Sequence, residues 1–123
     1  MNTQIKEKNG VKIAVVNSGE TLISDGQSAL DWMMSVQYET GCSRIALNKE
    51  AIADDFFILS SGVAGEILQK FINYHIKFAV YGDFSKYTSK PLRDFIYESN
   101  QGRDIFFVPT EEDAAEKLGG VSL

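Results

Sequence analysis

Two adjacent hydroxyls, Ser60 and Ser61, stand directly before Gly62 and the amphipathic stretch VAGEILQKF at residues 63–71. A serine nucleophile needs a neighbouring base, and the chain holds one histidine, His75. His75 lies past the far end of the helix that the serines would begin, on the order of 15–20 Å away at about 1.5 Å rise per residue. A Ser-His-carboxylate triad is therefore out of reach, and His75, in NYHIK, reads as a helix-end residue. Cys42 is the single cysteine, so no disulfide framework can form, nor a structural zinc site, which takes about four Cys or His ligands. Asp54 and Asp55, with Asp83, offer hard oxygen ligands, but neighbouring acids in a surface loop are ordinarily just solvated. No G-x-G-x-x-G or Walker A pattern occurs. The expectation is no catalytic residue, no metal and no cofactor.

What the Ser60-Ser61-Gly62 segment can offer is electrostatic. Free N–H groups and the dipole at a helix N-terminus favour an anion or a phosphate. The plain alternative is that one serine is an N-cap, worth about 1 kcal/mol.

The elements that must hold this turn follow from periodicity. Residues 3–8 and 11–17 flank Asn9-Gly10, the dipeptide suited to a type I′ hairpin. Ser24 with Gln27 suggests a capping box for a helix over about 25–40, stopped by Gly41. Residues 44–48, 76–81 and 104–108 read as short apolar strands, and 56–59 as a strand edge or a packed turn. After Gly62, Val63, Ile67, Leu68, Phe71 and Ile72 share a helical face, with Glu66 and Lys70 spaced to pair. Ser89 and Pro91 announce a helix with Leu92, Phe95 and Ile96 inward, stopped at Asn100 and Gly102. Thr110 with Asp113 caps a last helix, and Gly119-Gly120 would free the C-terminus. Strands alternating with helices favour parallel pairing and right-handed crossovers, with the hairpin adding antiparallel strands at an edge.

On a helical wheel, Trp32, Val36, Ala29, Met33, Leu30 and Met34 sweep roughly 200°, wider than one core contact requires. This predicts a cover for Trp32: self-association as a homodimer with Trp32 and Val36 at the interface, or a loop or the last helix lying over it.

The chain has 123 residues, 44% hydrophobic and 24% charged, which suits one compact domain over 1–123. Twelve basic against 17 acidic side chains give a net charge of -5, unfavourable for nucleic acid or an anionic membrane without a local basic patch. The segment MNTQIKEKNG has no apolar core of a signal peptide, and no window approaches the roughly 18 apolar residues of a membrane span. A soluble, cytoplasmic protein is expected.

The order RIALN, FILSSG, VAGEILQKFINY, IKFAVYG resembles the STAS family, the sulfate-transporter and anti-sigma-factor-antagonist domain. There a strand ends in a loop of the form F-M-D-S-S-G, followed by an amphipathic helix and a strand; Phe57, Ser60, Ser61 and Gly62 are shared. The resemblance implies a STAS-like α/β sandwich with a mixed sheet of about five strands, an N-terminal β-hairpin and about four helices. In anti-sigma-factor antagonists the first Ser of the motif is phosphorylated, which lands on Ser60, although Leu59 stands where the motif carries Asp. The blocks GEILQKFINY and LRDFIYESNQGRDIFFV also resemble, over nearly the whole chain, a small bacterial family of domains of unknown function, of the DUF-4180 type, which brings no known activity.

Together these readings lead to a non-enzymatic regulatory or protein-interaction module using the Ser60-Ser61-Gly62 loop. The alternative is a small-ligand or anion binder, or an enzyme, with its site past the carboxyl ends of the strands, where Asn48, Lys49, Asp83, Ser85 and Lys86 would gather with the two serines.

Overall fold

Asn9 and Gly10 both take left-handed backbone, φ 54° and 77°, as the central residues of a type I′ turn must. They join β1 (Asn2–Lys8) to β2 (Val11–Asn17) in an antiparallel pair. The computed structural model, which describes residues 1–121, continues through α1 (Gly26–Thr40), β3 (Arg44–Asn48), α2 (Val63–Asn73), β4 (Lys77–Tyr81), α3 (Lys90–Gln101), β5 (Ile105–Val108) and α4 (Glu111–Gly120). Between β3 and α2 the chain coils through three short 3-10 turns, so residues 56–59 form a packed turn and not a strand edge.

The sheet order is β1-β2-β3-β4-β5, with β2 to β5 mutually parallel. Each crossover advances by one strand in the same direction, and crossovers of one hand then land on one face. That face carries α1, α2 and α3 over Val16, Ile45, Leu47, Phe78, Val80 and Phe107. The last helix, α4, folds back on the other face, over Ile13, Val15, Ala46, Ala79, Phe106 and Val108. Small residues on both sides, Ala46 and Ala79 against Ala114 and Ala115, let α4 lie close to the sheet.

Gly119-Gly120 does not free the chain as expected, because both residues lie inside α4. Gly119 is buried where an added Cβ would run into the Lys8 side chain, and its carbonyl accepts from Asn9 Nδ2 at 3.0 Å. Arg44 is buried beneath the helix end and donates to the Leu118 and Val121 carbonyls at 2.5 and 2.6 Å, placing a cation at the negative end of the α4 dipole. At the sheet edge, the Asn100 amide pairs with Phe107 on the free side of β5, accepting from Phe107 N at 2.8 Å and donating to Phe107 O at 3.0 Å.

The cap of α1 sits one residue later than the Ser24/Gln27 pattern suggests. Asp25 is the N-cap, accepting from Ser28 N at 2.8 Å, and Ser28 Oγ accepts in return from Asp25 N at 3.0 Å. The Ser28 backbone N–H and hydroxyl hold the Asp25 carboxyl below its usual range. Gln27 is spent on Asp31 one turn along. The predicted Glu66–Lys70 pair gives way to a tertiary contact: Glu66 Oε1 accepts from Gly26 N, the first turn of α1, at 2.9 Å. A Cβ on Gly26 would stand 2.6 Å from that oxygen, so glycine is what admits the carboxylate.

Trp32 and Val36 are corrected as interface residues. Trp32 is 8% exposed and Val36 fully enclosed, because the wide stripe of α1 is divided between the sheet and α2. The indole meets Phe71 of α2 and Phe78 of β4 edge-on, at centroid distances of 6.5 and 6.2 Å, and its N–H points to Met1 Sδ at 3.4 Å. The cover is α2, β4 and the first residue; the last helix is on the opposite face. On α2, Ala64, Ile67, Leu68 and Phe71 are buried and Val63 packs at the margin, whereas Ile72, expected inward, is 44% exposed. The expected face of α3 holds more loosely, with Leu92 buried and Phe95 and Ile96 half-buried against the same core.

Trp32→Ala is expected to cost about 3–5 kcal/mol in urea denaturation with no change of molecular mass in solution. Unchanged stability with a loss of mass would return Trp32 to an interface.

Candidate functional site

All four parallel strands end at the same edge, so the segments after β2, β3, β4 and β5 converge there. Two of them, residues 49–62 and 82–89, carry the residues picked out by the sequence. Asn48 is among these, but it is buried and fully used. Its Oδ1 accepts from Ser18 N at 2.8 Å while Nδ2 donates to Ser18 O at 2.7 Å, clamping the end of β2 to the end of β3. Asn48 is therefore a structural clamp beneath the edge and not a ligand-facing side chain.

Ser61 and Ser60, adjacent in sequence, separate in role. Ser61 Oγ donates to Asp55 O at 2.8 Å and accepts from Val63 N at 3.2 Å, tying the 3-10 turn to the start of α2. Neither serine is the N-cap that the sequence suggests: Gly62 holds that position without a side-chain cap hydrogen bond, and the Ser61–Val63 contact is a local turn ahead of the helix. Ser60 is exposed, and among the described residues its hydroxyl has no hydrogen-bonding partner. Gly62 takes φ 78°, the left-handed conformation that turns the chain into α2. His75 occupies the opposite end of this 11-residue helix, at φ 58° and exposed, in the position that terminates it. The Ile76 N–H returns to Phe71 O at 2.9 Å and the His75 N–H to Ile72 O at 3.1 Å. The serines and the histidine are not brought together. Cys42 is buried, with its thiol 3.8 Å from Thr40 O.

Asp83 Oδ1 accepts from Ser85 N at 2.9 Å, forming a local turn. The Ser85 hydroxyl and N–H hold this carboxyl below its usual range, with Lys49 and Lys86 contributing less. Asp54, Asp55 and Asp83 are all exposed, and among the described residues no group of three or more His, Cys, Asp or Glu is placed to hold a metal ion. Thr110 is spent on the cap of α4, accepting from Asp113 N at 3.1 Å.

Lys49 and Lys86 do converge. Both ammonium groups stand over the ring of Tyr87, 5.1 and 5.2 Å from its centroid. Phe57 stacks on the same ring at 4.9 Å and 20°, and Phe84 leans on Phe57 at 6.0 Å. Burial pushes the Tyr87 phenol up, so its hydroxyl stays a donor through neutral pH. Tyr87 has no role in the sequence reading, and Phe57 enters it only as a residue shared with the resembled loop; the available signal is a pair of aromatics, Phe84 and Tyr87, inside the otherwise polar GDFSKYTSK.

The family model for a domain of unknown function (DUF4180) matches residues 8–118. The chain belongs to the DUF4180 family. No curated protein and no solved structure matches it. No helix among the described residues of this DUF4180 chain is long and apolar enough to cross a membrane.

Because Gly62 sits in left-handed backbone with open space around it, Gly62→Ala is expected to lower stability by about 1–2 kcal/mol from backbone strain alone. Gly65→Ala, in the first turn of α2 with equally open space, is expected to raise it by about 0.5 kcal/mol. Urea melts of both variants check the pair; equal effects would mean that the turn is not held by Gly62.

Proposed function

We propose that this DUF4180 chain is a non-enzymatic, STAS-like regulatory or protein-interaction module that docks a protein partner on the turn ending in Ser60-Ser61-Gly62, in the cytoplasm. The observation that carries this reading is the contrast within five residues. Phe56 and Phe57 are buried, whereas Ile58 is 52% exposed and Ser60 is exposed, its hydroxyl without a partner among the described residues. An apolar side chain and a hydroxyl are thus held out to solvent on a base that is firmly anchored in the core. The element order, a hairpin followed by alternating helices and strands, supports the likeness to a STAS domain. A homodimer through Trp32 and Val36 is not part of the reading, since both are buried.

A phosphate on Ser60 would add about -1.5 to -2 charges at a helix N-terminus, where the dipole tolerates them, and would repel an acidic partner. Leu59, where the resembled motif carries Asp, favours constitutive docking over a phosphate switch.

Affinity capture from the cell of origin, with each variant first checked for an unchanged melting temperature, tests this. Ile58→Asp is expected to reduce partner recovery by about tenfold or more, the effect of about 1.4 kcal/mol. Ser60→Asp is expected to weaken recovery and Ser60→Ala to preserve it. If all three recover the wild-type set, the turn is only the entry to α2 and the reading fails.

A further inference from the structure

Lys49 is the least expected side chain at the strand ends: it is 9% exposed overall, yet among the described residues no carboxylate lies within ion-pair distance of its ammonium. Burying a cation without a counter-ion is unfavourable, and the face of an aromatic ring offsets only part of that cost. Its position is built. Gly82, at φ 152°, lies under the Lys49 stem, and a Cβ there would stand 2.9 Å from Lys49 Cβ. Phe57 backs the Tyr87 ring on which the ammonium rests. Lys86 brings a second, exposed ammonium to the same ring, so the two nitrogens are at most about 10 Å apart. Both line a concave site of about 340 Å³, whose wall also includes Glu50, Asp54 and the Thr21 residue of the β2–α1 loop.

We propose that this pocket binds a small hydroxylated phosphate monoester, with the phosphate between Lys49 and Lys86 and its hydroxyls against Glu50 and Asp54. Two point-charge ammoniums suit a dianionic phosphate, whose second charge gains more from a pair of cations than a singly charged carboxylate does. The acids repel a bare anion but accept hydrogen bonds from hydroxyls beside it, which sets the class of the remainder. The volume lies at the low end for small-molecule sites and suits a sugar or polyol phosphate more than a nucleotide. With one face of Tyr87 taken by Phe57 and the ring crowned by ammoniums, no aromatic face is left to stack a base. The site stands independently of the docking turn at Ser60.

The test is a heteronuclear NMR titration of the full chain with glycerol 3-phosphate, and separately with inorganic phosphate, at constant ionic strength set by sodium chloride. Saturable shifts confined to the amides of 49–54 and 82–88 are expected, with glycerol 3-phosphate binding several-fold more tightly. Lys86→Gln, at an exposed position, is expected to weaken binding at least about tenfold while leaving the rest of the spectrum unchanged. Lys49→Met, which keeps the stem, is expected to abolish it. No saturation at tens of millimolar, or an unaltered affinity in Lys86→Gln, would overturn the site. Equal affinity for inorganic phosphate would overturn the ester, since the carboxylates would then contribute nothing. None of these outcomes depends on partner capture by Ile58 or Ser60.

Discussion

Handedness organises this molecule. Three parallel crossovers, each advancing one strand the same way, can place their helices only on a common face, so α1, α2 and α3 crowd together and leave α4 to cover the other side of the sheet alone. Crowding explains why α1 needs a stripe of roughly 200°: it meets the sheet below and α2 beside it, and Trp32 fills the angle between them against Phe71 and Phe78. It also explains why Glu66 of α2 reaches the first turn of α1. The solitary α4 must span a wide surface with little bulk, which its alanines and Gly119 allow, and Arg44 fixes its end.

The same constraint brings the carboxyl ends of β2 to β5 to one edge, but connectivity alone would leave four independent loops there. Two of them are joined by the stack of Phe57 on Tyr87. Phe57 belongs to the segment that ends in the Ser60 turn, and Tyr87 carries the two lysines, so one aromatic contact underlies both the proposed docking edge and the proposed phosphate pocket. Ser61 extends this bracing by tying the turn back to Asp55. We regard residues 52–62 and 82–89 as one packed unit, with Ile58 and Ser60 turned outward on it and the Lys49 ammonium resting on its Tyr87 ring.

Much of this fold was legible in the residues because it rests on local rules. Asn9-Gly10 dictates its hairpin, Thr110 and Ser89 their caps, Gly41 its helix end, and the short apolar runs their strands. What was not legible depends on neighbours far along the chain. Periodicity gives the width of the α1 stripe but not its occupants, so Trp32 was open to an interface reading. The i, i+4 rule offers Glu66 a partner in Lys70, and a backbone N–H 40 residues away takes it instead. Asn48, at the end of its strand, and Lys49, just past it, read alike as site residues, yet one is locked between two strands and the other is turned onto an aromatic ring. Tyr87, an aromatic residue in a polar turn, has no periodic pattern to betray it.

The claim on which this account rests is that the two edge segments form one unit through Phe57 and Tyr87. Amide hydrogen exchange followed by mass spectrometry on wild type and Tyr87→Ala tests it directly. Loss of protection in both 52–62 and 82–89, with β4 and β5 unchanged, is the expected result. Loss confined to 82–89 would contradict it, because the Ser60 segment would then be held without the stack.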